Sequence, residues 1–155
     1  MQHIDIADIL HDPDFLDKSV TVCGWVRTSR NSKTMAFIAL NDGTSLPHLQ
    51  IVIDKSSGIA FEDAMPLGTS LKVVGKVVAG QNNTPEINAE SIEVLGTCPA
   101  DYPLQKKRHT LEFLRTMPHL RGRTNTFNAV LRVRAVLAQA IHEYFQTKNY
   151  VYVNT

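Results

Sequence analysis

Residues 20–27 have the sequence VTVCGWVR, whose pattern indicates the fold class. Val20, Val22 and Val26 recur with the period of two that is typical of a strand with one buried face. Gly24 lies within that run and predicts a bend or bulge, of the kind that a small barrel needs at its corners. The sequence therefore predicts a mainly β fold that begins with this strand.

Four further strands are predicted after the first. Alternating or valine-rich runs indicate them at residues 36–40, 49–54, 68–78 and 86–95. Asn41-Asp42-Gly43 is a strong turn signal, residues 28–34 indicate a polar loop, and residues 56–65 indicate a short helix or an irregular connection. Five strands with a helix between the third and the fourth match the OB-fold, a Greek-key barrel, although other small barrels have as many strands.

Helical segments are expected before and after the five strands in the sequence. Residues 4–17 predict a short helix broken at Pro13, and residues 125–147 predict one long amphipathic helix, followed by a strand at residues 150–153. The predicted domains are an OB-fold over residues 1–98, a helical linker or hinge over residues 99–124, and the start of a second domain over residues 125–155. Because a long helix and a lone strand cannot bury themselves well, we expect that domain to continue beyond residue 155.

Charge is distributed unevenly along the chain, although the net charge is only +1. Residues 1–100 contain 7 Lys and Arg against 12 Asp and Glu, whereas residues 101–155 contain 9 against 3. The acidic first part argues against a strongly basic, non-specific nucleic-acid binder. Residues 18–40 nevertheless carry four basic side chains and no acidic one, which leaves a local basic stretch inside the acidic domain.

The candidate site lies on the predicted outer surface of the barrel. If the aliphatic residues of the second and third strands face the core, Phe37 and Gln50 point outward, and Arg27 is out of phase with the buried valines. An aromatic ring can stack on an unpaired base, an amide can pair with its edge, and a guanidinium can neutralise phosphate. Each residue also has a structural interpretation, since Phe37 could pack beneath the loop, Gln50 could be an ordinary exposed amide, and Arg27 and Arg30 could be solvated.

Motifs for catalysis or metal binding are absent from the sequence. It contains no GxGxxG, no HExxH and no phosphate-binding loop, and none of its six histidines is paired at i,i+3 or i,i+4. Cys23 and Cys98 form no CxxC pair, so we expect free thiols in a reducing cytoplasm. The apolar stretches are too short to cross a membrane, and the first residues do not resemble a secretory signal.

Several motifs resemble those of a known family. VCGWVR at residues 22–27, FIAL at 37–40, LQIV at 49–52 and SIEVL at 91–95 resemble the N-terminal anticodon-binding domain shared by aspartyl-, asparaginyl- and lysyl-tRNA synthetases. The segments YPL at 102–104, KRHTLEFLR at 107–115 and HLRGRTN at 119–125 are similar to the asparaginyl branch. The resemblance covers essentially the whole chain.

The resemblance implies roles for five residues in gripping the anticodon loop of asparagine tRNA. Phe37 would stack on the central anticodon base, and Gln50 would read that base, which is uridine in the anticodon GUU. Glu93 would contact the first base, a guanine. Arg27 and Arg30 would supply positive charge beside the same loop.

The resemblance also implies a larger enzyme. Residues 125–153 resemble the helix and strand of the first class II synthetase motif, which forms a homodimer interface. The parent enzyme would be a cytoplasmic ATP-dependent asparagine–tRNA ligase that uses ATP and Mg²⁺, whereas this chain alone, without the later motifs, is expected to bind no cofactor and to be inactive. The alternatives are an aspartyl-type anticodon domain, a generic single-strand-binding OB module, and a dimerisation module built on the long helix.

Overall fold

The computed structural model describes residues 3–154, except for the side chain of Asn82. The chain divides into two compact units, Met1–Lys106 and Lys107–Thr155. The predicted domain limits after residues 98 and 124 stay predictions. No helix in the described part of the chain is long and apolar enough to span a membrane.

The first unit is a closed five-stranded barrel in which the strands follow the order β1-β2-β3-β5-β4. The strands are β1 (Ser19–Asn31), β2 (Met35–Asn41), β3 (Leu49–Asp54), β4 (Ser70–Ala79) and β5 (Pro85–Gly96). All neighbouring pairs are antiparallel except β3 and β5, which run parallel and close the barrel. This arrangement confirms the predicted OB-fold and its five strands.

Alternation along the strands fills the barrel interior with aliphatic side chains. Ile38 pairs with Ile51, Ile51 pairs with Ile87, and all three side chains are fully buried. Gly24 is also required, because a Cβ atom there would lie 2.9 Å from the carbonyl oxygen of Asn41 in β2. The predicted inward faces of the first three strands are therefore confirmed.

One local prediction for the first unit was wrong. The polar stretch predicted as a loop at residues 28–34 is mostly strand, since β1 continues to Asn31 by pairing with β2. Residues 56–65, predicted as a short helix or an irregular connection, belong to an irregular connection that contains 3₁₀ turns at Lys55–Ser57 and Glu62–Ala64. The predicted lead-in helix is present as α1 (Ile6–His11), which buries Ile6 and Ile9 and is followed by a 3₁₀ turn that starts at Pro13.

The second unit is helical. It contains α2 (Leu111–Arg115), a 3₁₀ turn at Arg121–Arg123, and α3 (Asn125–Thr147), whose bounds match the predicted long helix. Thr124 caps α3 by accepting a hydrogen bond from the backbone N–H of Phe127. Residues 150–153 do not form the predicted strand, because a strand needs a hydrogen-bonded neighbour and the described residues supply none there.

Candidate nucleic-acid interface

Four strands share one outer surface of the barrel, on which side chains alternate with the core residues. The pairing register aligns these side chains in two rows. The first row consists of Arg30, Phe37, Val52 and Asn88. The second row consists of Thr28, Ala39, Gln50 and Glu86. We call these two rows the four-strand face.

Phe37 and Arg30 lie side by side on this face, as partners in the β1–β2 pair. The guanidinium carbon of Arg30 is 4.7 Å from the centre of the Phe37 ring, a cation–π distance. The ring is partly exposed and the arginine is exposed. Extension of β1 through the predicted loop explains this contact, because it gives Arg30 a fixed place opposite Phe37 rather than a place in a mobile loop.

Gln50 belongs to the same surface and has a partner that the sequence did not predict. Its Nε2 atom donates a hydrogen bond to Oε1 of Glu86 at 3.0 Å. The two residues face each other because β3 and β5 pair in parallel, with Gln50 opposite Glu86. Sequence reasoning missed Glu86 because its partner is 36 residues away. The available signal was the parallel closure of the OB-fold, which brings the start of β5 beside β3.

Glu93 is not on the four-strand face. It lies on the later half of β5, opposite Lys72 of β4, and its carboxylate forms an ion pair with the Lys72 ammonium at 3.0 Å. Both side chains are substantially exposed, so the pair adds little stability. Only Phe37, Gln50 and Arg30 of the five predicted residues are brought together by the pairing register, and the role of Glu93 stays a prediction.

Arg27 occupies the bulge of β1, where the register with β2 shifts between Val26 and Thr28. Its positive charge acts on His48, which immediately precedes β3. The Nδ1 atom of His48 is 3.1 Å from Nδ2 of Asn41. The same Asn41 nitrogen lies within hydrogen-bond distance of the carbonyl oxygens of Ser45 and Pro47, so it is the NH₂ group, whose two hydrogens are shared among three acceptors. Because an amide NH₂ does not accept, Nδ1 of His48 is an acceptor in this contact.

The environment of His48 disfavours its charged form. Burial, followed by the positive charge of Arg27, lowers the pKa of His48 below its ordinary value of 6.5. A proton on Nδ1 would also meet the amide hydrogens of Asn41. His48 is therefore neutral at pH 7. Of the two residues, Arg27 is the one that carries a positive charge.

This environment predicts that acid destabilises the barrel. Because the folded pKa of His48 is below the unfolded value of 6.5, the unfolded chain binds more protons as the pH falls below 6.5, and the free energy of unfolding decreases. We expect His48→Gln to remove this part of the pH dependence. Urea unfolding of both proteins between pH 7.5 and 5.5 tests it, and parallel pH curves would contradict the assignment.

The four-strand face thus combines the Phe37 ring, the Gln50 amide and the Arg30 guanidinium, and Arg27 lies at the bulge of β1 outside its two rows. No group of three or more His, Cys, Asp or Glu side chains that could hold a metal ion occurs among residues 3–154, leaving aside the side chain of Asn82. The ring can stack on a base, the amide can bind a base edge, and the guanidinium groups can approach phosphate. These groups are suited to recognition of single-stranded nucleic acid.

Comparisons with known proteins agree with this interpretation. The tRNA anticodon family, described as an OB-fold nucleic acid binding domain, matches residues 20–95. Asparagine–tRNA ligase of Clostridium tetani is 45% identical over 159 residues, an alignment that covers 100% of this chain and 34% of the relative. The corresponding ligase of Pelobacter propionicus is 50% identical over 143 residues, covering 89% and 31%. The chain thus spans about a third of the length of these relatives.

A solved structure extends the similarity to the fold. The crystal structure of asparaginyl-tRNA synthetase from Pyrococcus horikoshii superposes with a TM-score of 0.85 at 23% identity, over 99% of this chain and 37% of that one. At this identity the superposition supports the fold, while the sequence relatives support the family. The chain belongs to the asparaginyl-tRNA synthetase family, and its barrel is the OB-fold anticodon-binding domain of that family.

Proposed function

We propose that the four-strand face binds the anticodon loop of asparagine tRNA and reads its central base. The observation that carries the proposal is the placement of Phe37, Arg30 and Gln50 on adjoining positions of β1, β2 and β3 in an anticodon-family barrel. Phe37 stacks on the central uridine, and Gln50 pairs with the edge of that base. Arg30 and Arg27 approach the phosphates of the loop, which positions the RNA without reading its sequence.

The proposal also covers a whole parent enzyme of the same kind as the full-length relatives. The parent is an asparagine–tRNA ligase that uses ATP and Mg²⁺, acts in the cytoplasm, and forms a homodimer through the helix and following segment at residues 125–153. Support for the dimer comes from α3, whose described side chains include no fully buried one. This chain alone is proposed to bind RNA without catalysing aminoacylation.

Binding of a short anticodon stem-loop tests the base-reading proposal. The asparagine stem-loop is compared with a copy in which the central uridine is changed to cytidine, at the same moderate salt concentration, because phosphate contacts make affinity depend strongly on salt. We expect clear preference for uridine. Equal binding of both RNAs that falls steeply with salt would leave a generic single-strand-binding OB module.

Replacement of Gln50 by alanine is expected to lower the preference for uridine by about 1 kcal/mol, the usual net value of one hydrogen bond. The loss is expected in the affinity for the uridine RNA, whereas the affinity for the cytidine RNA is expected to change little, because base contacts specify and phosphate contacts position. Titration of Gln50→Ala with the two stem-loops measures both quantities. Equal losses for the matched and the mismatched RNA would contradict the role of Gln50.

A further inference from the structure

Gln50 alone is an ambiguous reader of pyrimidines. Uracil presents an N–H donor at N3 beside an acceptor at O4, whereas cytosine presents an acceptor at N3 beside an amino donor. A glutamine amide also carries one acceptor and one donor group, and rotation by about 180° exchanges them. An amide that rotates freely can therefore form two hydrogen bonds with either base, in opposite orientations.

The structure removes this ambiguity with the Glu86 carboxylate. We propose that Glu86 is a specificity-determining residue that holds the Gln50 amide in the orientation that matches uracil. The inference rests on the proposed function, because it concerns how the same surface distinguishes one base from another. Glu86 acts here through Gln50, as a positioning residue.

The geometry of the pair supports this role. Nε2 of Gln50 donates to Oε1 of Glu86 at 3.0 Å. A carboxylate accepts hydrogen bonds and donates none, so the reversed amide would place two oxygen atoms against each other at this distance. The orientation is thus decided by the chemistry of Glu86, and charge-assisted hydrogen bonds of this kind are stronger than neutral ones. The second N–H and the carbonyl oxygen of the Gln50 amide stay available to a base, and their positions relative to each other on the surface are fixed.

The carboxylate is itself held in place by the connection between β4 and β5. A Cβ atom on Gly80 would lie 2.1 Å from Cδ and 2.2 Å from Oε1 of Glu86, so the carboxylate rests against the bare α carbon of this glycine. The backbone N–H of Gly80 donates to the carbonyl of Thr84 at 2.8 Å, which fixes the glycine relative to the start of β5. Glu86 is therefore confined between Gly80 on one side and Gln50 on the other.

Two substitutions remove the orienting effect in different ways. In Glu86→Gln the new amide can donate as well as accept, so both orientations of Gln50 are satisfied. In Gly80→Ala the added methyl group displaces the Glu86 carboxylate but leaves Glu86 and Gln50 in the sequence. The φ of Gly80 is −88°, which alanine adopts without strain. Glu90→Gln is the matched control, since it removes the same charge from an exposed position on the same strand.

The experiment measures the ratio of affinities for the uridine and cytidine stem-loops with each protein. We expect Glu86→Gln and Gly80→Ala to lower this ratio by about fivefold, which corresponds to about 1 kcal/mol and is no larger than the effect of Gln50→Ala, partly through tighter binding of the cytidine RNA. Glu90→Gln is expected to keep the wild-type ratio. Proton–nitrogen spectra that remain dispersed, with movement of the Gln50 side-chain amide signals, would show that the variants are folded.

The outcomes separate this inference from the proposed function. If the wild-type chain binds both RNAs equally, the base-reading proposal fails and the inference fails with it. If the wild-type chain prefers uridine and both variants keep that ratio, the inference alone is overturned. A change of preference at the first anticodon base, with the ratio at the central base unaltered, would also overturn it, because Glu86 would then contact RNA directly instead of orienting Gln50.

Discussion

Replacement of Phe37 by alanine is expected to weaken binding of the asparagine anticodon stem-loop by about 1–3 kcal/mol, the usual contribution of one base stacked on an aromatic side chain. The side chain is partly exposed and lies on the outer surface of β2, so its removal leaves no large cavity in the core. Fluorescence titration at constant salt measures the loss. An unchanged affinity with an intact fold would show that the four-strand face is not the binding surface.

A matched pair of variants separates the ring from its neighbour. Phe37→Leu keeps an apolar side chain but removes the aromatic face, so we expect it to bind almost as weakly as Phe37→Ala. Because the Arg30 guanidinium lies 4.7 Å from the ring centre, Arg30→Gln and the double variant complete a thermodynamic cycle. Additive losses would indicate that Arg30 contacts phosphate independently, whereas coupled losses would indicate that ring and guanidinium bind the base together.

The regular parts of the fold could be predicted from the sequence because they depend on local patterns. Alternation of aliphatic residues fixed the inward faces of β2 and β3, and with them the outward positions of Phe37 and Gln50. Apolar periodicity located α3 within the predicted limits. In each case the information lies within a few residues of the element that it predicts.

Long-range pairing explains what the sequence did not predict. Residues 28–31 are polar and were predicted as loop, yet they form strand because β2 supplies hydrogen-bond partners for them. Glu86 meets Gln50 only through the parallel pairing that closes the barrel. Glu93 shares the strand of Glu86 but faces Lys72, so proximity along β5 did not indicate which carboxylate accompanies Gln50.

Substitution of Ile51 by alanine is expected to lower the free energy of unfolding of the barrel by about 2–5 kcal/mol, the range for removing a buried aliphatic side chain from a core. Ile51 is fully buried, and its register partners Ile38 and Ile87 are fully buried on either side of it. The cavity that the substitution creates between them would lie directly beneath the strands that carry Phe37, Gln50 and Glu86. Urea unfolding followed by tryptophan fluorescence measures the change, since Trp25 is the single tryptophan and belongs to β1 of the barrel.

Two controls make the expected loss specific to the core. Ile51→Val removes one methyl group and is expected to cost about 0.5–1.5 kcal/mol, so the losses should increase with the volume removed. Leu95→Ala removes as many heavy atoms as Ile51→Ala, but the Leu95 side chain on β5 is 54% exposed, and a cost within about 0.5 kcal/mol is expected. Equal losses at positions 51 and 95 would contradict the burial pattern. A small loss at position 51 would mean that the isoleucine row does not form the packed support on which the four-strand face depends.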